Sequence, residues 1–214
     1  MSIPSSAGVP KPSATGALEN SGKVWVQRFP TSKRVDDLEP RFRASVKRFL
    51  SALDDASVTS DISATLRPPQ RAYLMHYAWS IVNGKVTPDK VPAFVPKAGQ
   101  RPVNIRWLHL DAAQTPNVAA SLAAAREMVK GYEITRLKVA PSLNSLHMVG
   151  QAIDMTLGWD GEINIKDGTG KTVTIRSLPR SGTNPDLMKV GATYGVHHLI
   201  AVNKDPPHWS VNGH

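Results

Sequence analysis

The chain has 214 residues, of which 41% are hydrophobic and 20% charged, a composition typical of folded globular proteins. It contains no cysteine, which excludes a cysteine nucleophile, a disulfide framework and a cysteine-ligated zinc finger. Any metal site must therefore use His and carboxylate ligands. The 26 Lys and Arg against 17 Asp and Glu give a net charge of +9, which favours anionic partners such as nucleic acid, anionic lipid or an acidic cell wall. No nucleic-acid-binding module is recognisable, so we expect no nucleic-acid partner.

Residues 1–22 are rich in Ser, Pro, Gly and Ala and predict a flexible tail. The remainder, 23–214, predicts one domain with an insertion at about 85–130. No apolar run reaches the roughly 18 residues of a membrane span, and the N-terminus lacks the apolar region of a Sec signal. We expect a monomer without an integral membrane segment, made in the cytoplasm. If its substrate lies outside the cytoplasm, it would need another system for delivery.

In the first half of the chain, hydrophobic periodicity predicts amphipathic helices over 39–53 and 70–83. A strand is expected over 58–66 between them, and a short strand over 23–29 before them. Arg67 stands where the strand over 58–66 passes into the second helix, a frequent place for a binding side chain.

The second half predicts further helices and strands around one sheet. A loop over 85–100 and an extended segment over 104–110 precede helices at 115–130 and 184–194. The expected strands cover 132–139, 152–157, 162–165, 172–178 and 198–202. The sum is an α+β fold, a small antiparallel sheet with flanking helices.

A catalytic metal site needs three protein ligands and an open position for water. His147 and Asp154 lie seven residues apart in extended or loop segments, with Gly150 to allow a turn and the small Ala152 to allow close packing. Among the other histidines His208 is the best third ligand, because two prolines stiffen the chain before it. The remaining histidines are His76, His109, His197, His198 and His214.

Acid–base and cationic groups accompany these candidate ligands. Asp205 precedes His208 by three residues, and a carboxylate beside a metal can accept the proton of the metal-bound water, whose pKa the metal lowers to about 7. Arg67 is the first choice to hold a substrate carboxylate or an oxyanion. Arg71 and Arg136 are secondary candidates for substrate binding.

The pattern Ser145-x-His147-x-x-Gly150-x-Ala152-x-Asp154 resembles the signature of the M15-type zinc D-Ala-D-Ala peptidases. That family includes D,D-carboxypeptidases, D,D-dipeptidases and phage L-alanyl-D-glutamate endopeptidases. The downstream His208-Trp209 with an acid three residues earlier is also similar to the family, as is an arginine at a strand end in Thr65-Leu66-Arg67.

The resemblance implies a single zinc-peptidase domain acting on peptidoglycan stem peptides, as a phage endolysin or a delivered antibacterial effector. It implies Zn²⁺ ligation by His147, Asp154 and His208, with Asp205 as general base and Arg67 holding the substrate. Ser145 would support the site by a hydrogen bond, and Trp209 would exclude water from it. The chain departs from the family in two ways: many members have Glu at the base position, and about eighty residues separate Arg67 from His147.

Two alternatives stay open. The chain fits a D,D-carboxypeptidase or dipeptidase that acts on small cell-wall precursors. It also fits a non-catalytic, metal-stabilised module that binds the cell wall, although a purely structural site would need no acid at Asp205.

Overall fold

The computed structural model describes residues 16–200 and 205–214. Residues 1–15 of the predicted tail lie outside the described residues. The described chain confirms the α+β fold with small antiparallel sheets and flanking helices. Its helices are α1 (Pro40–Asp55), α2 (Pro69–Val82), α3 (Val118–Gly131) and α4 (Pro185–Thr193). Its strands are β1 (Glu19–Asn20), β2 (Thr59–Ala64), β3 (Ile105–Arg106), β4 (Ala152–Gly158), β5 (Ile163–Lys166), β6 (Thr172–Ile175), β7 (His197–His198) and β8 (His208–Ser210).

The described chain separates into two compact units. Unit 1 consists of residues 16–30 and Pro69–Leu143, and unit 2 consists of Thr31–Pro68 and Asn144–His214. The chain therefore passes from one unit to the other after residues 30, 68 and 143. The segment 69–143 of unit 1 is longer than the predicted insertion at about 85–130. No helix in the described ranges is long and apolar enough to cross a membrane.

Unit 2 contains a four-stranded antiparallel sheet in the order β2-β4-β8-β7 and a separate β5-β6 hairpin. The hairpin forms where two short β-rich runs flank the turn residues at 167–170, as the sequence predicts. The side chain of Glu39 caps α1 by accepting from the first free backbone N–H groups. The apolar face of α1 buries Phe42, Val46 and Phe49 in the same core as Ile153 and Met155 of β4.

Unit 1 is built around α2 and α3, whose buried faces share one apolar core with Trp25 and Trp107. The two-residue strands β1 and β3 pair in parallel at its edge. Residues 19–20, predicted within the tail, are thus part of the fold.

Two predicted strands in unit 1 are wrong. Residues 23–29 begin with a 3-10 turn at Lys23–Trp25, whose indole is buried in the core. Residues 132–139 are turns and bends, because Tyr132 closes α3 and Glu133 adopts a left-handed φ of 59°. The buried Tyr132 and Ile134 satisfy the apolar pattern that suggested a strand.

Candidate metal centre

The sheet of unit 2 sets Asp154 and His208 beside each other. In the antiparallel β4–β8 ladder Asp154 lies directly opposite His208, and Ile153 lies opposite Trp209. Opposed residues share one face of a sheet and neighbours along a strand alternate between faces. Ile153 and Trp209 therefore point into the core, and Asp154 and His208 project together from the other face.

His147 reaches this face from a 3-10 turn at Leu146–Val149 that immediately precedes β4. The Ser145 hydroxyl accepts a hydrogen bond from the His147 backbone N–H at 3.3 Å and caps the turn. Gly150 ends it with a φ of 69°, and a Cβ there would stand 2.8 Å from the backbone nitrogen of Glu39. Only glycine fits such a left-handed position against another backbone segment.

The three ligand candidates meet at one point. His147 Nε2 lies 3.0 Å from Asp154 Oδ1 and 3.2 Å from His208 Nδ1, and His208 Nδ1 lies 3.0 Å from the same oxygen. All three side chains are largely shielded from solvent. This group could hold a metal ion.

Hydrogen bonds on the far side of each ring fix which nitrogen faces the centre. His147 Nδ1 donates to the carbonyl oxygen of Thr65 at 2.7 Å, and His208 Nε2 donates to the carbonyl oxygen of His214 at 3.3 Å. A carbonyl oxygen only accepts, so these nitrogens carry the protons of the neutral rings. The lone pairs of His147 Nε2, His208 Nδ1 and Asp154 Oδ1 then face one another, an arrangement suited to a shared cation.

The charges of the three groups are strongly coupled. Burial opposes ionisation of Asp154, but hydrogen bonds with His147 and His208 hold the pKa of its carboxyl well below its usual range. Burial likewise works against protonation of His208, but the hydrogen bond with Asp154 and its negative charge raise the pKa of that imidazole. The site thus favours an anionic Asp154 with positive charge next to it, supplied by a proton or a metal ion.

Asp205 and Arg67 belong to the same electrostatic neighbourhood. Asp205 is exposed, yet partial desolvation of its carboxyl and the negative charge of Asp154 raise the pKa of that carboxyl. The positive charges of His208, His147 and Arg67 oppose this increase in the pKa. The backbone N–H of Arg67 donates to the carbonyl oxygen of His147 at 3.0 Å, which ties the end of β2 to the turn. The buried Arg67 Nε has no hydrogen-bond partner among the described residues.

Three other predicted site residues have contacts outside the ligand group. Trp209 is fully buried on the core side of β8, 5.5 Å from the ring of Phe49, so it supports the sheet and cannot touch a substrate. Arg71 and Arg136 belong to unit 1. Arg71 donates to the carbonyl oxygen of Val26 and stacks on Tyr132, and Arg136 is exposed at the surface.

From the sequence alone, His198 had no assigned role. His198 is buried, and its Nε2 donates to the carbonyl oxygen of Pro206 at 2.7 Å. Its ring meets Trp209 edge-on at 4.8 Å. His198 therefore anchors the segment that carries Asp205 and His208. The sequence could not predict this role, because the acceptor is a backbone carbonyl oxygen.

Comparisons with known proteins give no match for this chain among protein-family models, curated proteins or solved structures.

Proposed function

We propose that the protein is a zinc metallopeptidase that hydrolyses a peptide bond in the peptidoglycan stem peptide. The observation that carries this proposal is the convergence of His147 Nε2, Asp154 Oδ1 and His208 Nδ1 within 3.0–3.2 Å of one another. A group of two imidazoles and one carboxylate is a donor set used by catalytic zinc sites.

The spacing of these donor atoms suits zinc. Zinc bonds to nitrogen and oxygen of about 2.0–2.1 Å in a tetrahedron place neighbouring ligand atoms roughly 3.3 Å apart. The three distances are slightly shorter, and small side-chain movements would accommodate the ion. Two nitrogen ligands argue against magnesium and calcium, which prefer oxygen ligands. Three protein ligands leave a fourth position for water and substrate.

The chain supplies the remaining chemistry around that position. When bound, zinc would supply a Lewis acid and a water molecule acidified to a pKa of about 7. Asp205 would take the proton from the attacking water and pass it to the leaving amine. Arg67 would hold a substrate carboxylate or the carbonyl oxygen that becomes negative, since its Nε has no hydrogen-bond partner among residues 16–200 and 205–214. Thr65 and His214 orient the two imidazoles through their carbonyl oxygens.

The resemblance to M15-type peptidases supports peptidoglycan as the substrate. Three of the motif residues that carry it have a structural role in unit 2: Ser145 caps the turn, Gly150 fits a left-handed contact, and Asp154 faces His208. Stem peptides also offer free carboxylates, which suit the guanidinium of Arg67.

Digestion of purified muropeptides, followed by mass detection of the products, tests the proposal. We expect new amino groups to appear, a chelator to stop their release, and added zinc to restore it. His208→Ala should abolish both zinc binding and hydrolysis. His197→Ala is the matched control, because this half-buried histidine lies in the neighbouring strand but outside the ligand group, and it should keep both.

The product masses also identify the bond. Loss of a terminal D-alanine would indicate a D,D-carboxypeptidase, and separation of L-alanine from D-glutamate would indicate an endopeptidase. Stoichiometric zinc with no turnover of any muropeptide would contradict the enzymatic proposal and favour a metal-stabilised binding module. Hydrolysis that survives both chelation and His208→Ala would contradict the zinc mechanism.

A further inference from the structure

One surface of unit 1 is defined by residues 135–143, here called the basic loop, together with Lys85. Two aromatic side chains of α2 fix the backbone of this loop. The buried Trp79 donates from Nε1 to the carbonyl oxygen of Leu137 at 3.2 Å, and His76 Nδ1 donates to that of Pro141 at 2.8 Å. The backbone of the loop is therefore held against α2 at two points.

Three cations gather at this surface. Lys85, Arg136 and Lys138 line an open depression of about 690 Å³ that contains no acidic lining residue. All three are exposed, and none makes a salt bridge within the described ranges.

The negative ends of the neighbouring helix dipoles offset only part of this positive charge. Apart from Trp79 of α2, the depression is lined by residues that follow the C-terminal ends of α2 and α3. Each helix end carries about half a negative charge, roughly one in total, against three cations. An excess of positive charge is left to attract an external anion.

Exposed aliphatic side chains alternate with these cations. Leu137 is 45% exposed, Val139 73% and Leu143 41%, so three of the large exposed hydrophobic residues lie in one nine-residue loop. A hydrophilic polyanion would leave these side chains in water, whereas a lipid surface would cover them.

We propose that the basic loop and Lys85 dock unit 1 onto an anionic lipid bilayer. Lysine and arginine bind the negatively charged headgroups, and Leu137 and Val139 enter the interface between headgroups and acyl chains. Single-stranded nucleic acid is a poorer fit, because base stacking needs exposed aromatic rings. Around the depression the aromatic residue is Trp79, which is buried. This inference is independent of the zinc site and of the proposed peptidase activity.

Sedimentation of the full chain with lipid vesicles tests the docking surface. We expect binding to vesicles containing phosphatidylglycerol, weakening as sodium chloride rises, and little binding to pure phosphatidylcholine. The triple variant Lys85→Gln, Arg136→Gln, Lys138→Gln should bind about 100-fold more weakly, from roughly fivefold per cation. A triple variant of exposed unit 2 residues, Lys33→Gln, Arg41→Gln, Lys166→Gln, has the same net charge and should change binding less than threefold.

The apolar contribution separates a bilayer from a soluble polyanion. Leu137→Ser with Val139→Ser should weaken vesicle binding about tenfold, whereas Val95→Ser with Val118→Ser, two exposed aliphatic residues elsewhere in unit 1, should leave it unchanged. Equal losses in the two charge triples would overturn the proposal, because they would show an effect of net charge alone. Tighter binding to poly(glycerol phosphate) or duplex DNA than to vesicles, unaffected by the serine pair, would also overturn it.

Discussion

The two units of the chain differ sharply in charge. Residues 16–30 and 69–143 contain 12 Lys and Arg against 5 Asp and Glu, a net charge of +7, whereas residues 31–68 and 144–214 contain 13 against 12, a net charge of +1. The first fifteen residues carry the remaining +1. Unit 2 nevertheless holds every group of the candidate metal centre, together with Asp205 and Arg67.

Long-range electrostatic attraction to anions is therefore expected from unit 1, and the candidate metal centre belongs to unit 2. In unit 2 the positive and negative residues nearly balance, so its field is weak at long range, although Asp154 and the two histidines interact strongly at short range. In unit 1 the charge is spread over exposed residues and is largely uncompensated, which suits diffuse attraction to an anionic surface. Most of the overall charge of +9 is therefore carried by unit 1, whereas the candidate metal centre lies in unit 2.

If catalysis belongs to unit 2 and needs more than a metal, Asp205→Asn should have the largest effect. Without a carboxylate to accept the proton, the rate of muropeptide hydrolysis should fall about 10²–10⁴-fold. Zinc affinity should change less than threefold, because Asp205 is not one of the three converging ligands. Steady-state kinetics and metal analysis of the same preparation measure both quantities, and a parallel loss of zinc would show that Asp205 acts as a ligand.

The next largest effect is expected at the glycine of the turn that carries His147. Gly150→Ala would meet the backbone nitrogen of Glu39 at 2.8 Å in a left-handed conformation, and should destabilise the protein by about 2–4 kcal/mol. Gly161→Ala is a matched control with a φ of 67° and no atom within 4 Å, and should cost about 1 kcal/mol. Thermal unfolding of both variants measures the difference. Equal shifts would mean that the contact with Glu39 relaxes freely.

Two of the three ligand candidates could be predicted from their spacing because they lie close together along the chain, whereas His208 was chosen for the two prolines before it. His147 and Asp154 are joined by one turn and one strand, and His208 reaches Asp154 through simple antiparallel pairing. Residue types and spacing express such features directly. The α+β class followed for the same reason, since α1, β4 and the β5–β6 hairpin each have a clear hydrophobic period, whereas α2 is buried on most of its faces.

Other features depend on contacts that the sequence does not encode locally. The apolar residues Tyr132 and Ile134 suggested a strand, but they serve the unit 1 core from a turn. The carbonyl oxygens of Thr65 and His214 orient the imidazoles, and every residue type has a carbonyl. Trp209 next to His208 seemed to face the site, but strand alternation sends it into the core.

A smaller effect is expected when the anchor of the Asp205 segment is removed. His198→Phe keeps a ring against Trp209 but loses the donor to the Pro206 carbonyl. We expect kcat to fall about tenfold, with KM and zinc content within twofold of the parent, because Asp205 would be less well positioned. His198→Gln, which can still donate, should recover part of the rate. Loss of zinc together with kcat would instead place His198 among the residues that hold His208.

The smallest effect is a change in the pH dependence of stability when zinc is added. In the metal-free protein the raised pKa of His208 contributes stability that is fully present below its unfolded pKa of about 6.5 and is lost as pH rises through the folded value. Zinc binding needs the neutral imidazole, so stabilisation by zinc should grow over the same interval.

Thermal unfolding between pH 5.5 and 8 should therefore show a melting temperature that declines with pH in chelator, relative to His208→Ala, and a zinc-induced increase that becomes larger with pH. The lowered pKa of Asp154 does not confuse this interval, because its contribution is lost only as pH falls below about 4. A zinc-induced increase that is the same at both ends of the range would show that the ion does not displace a proton from His208. The same result in His208→Ala as in the parent would place the stabilising zinc at another site.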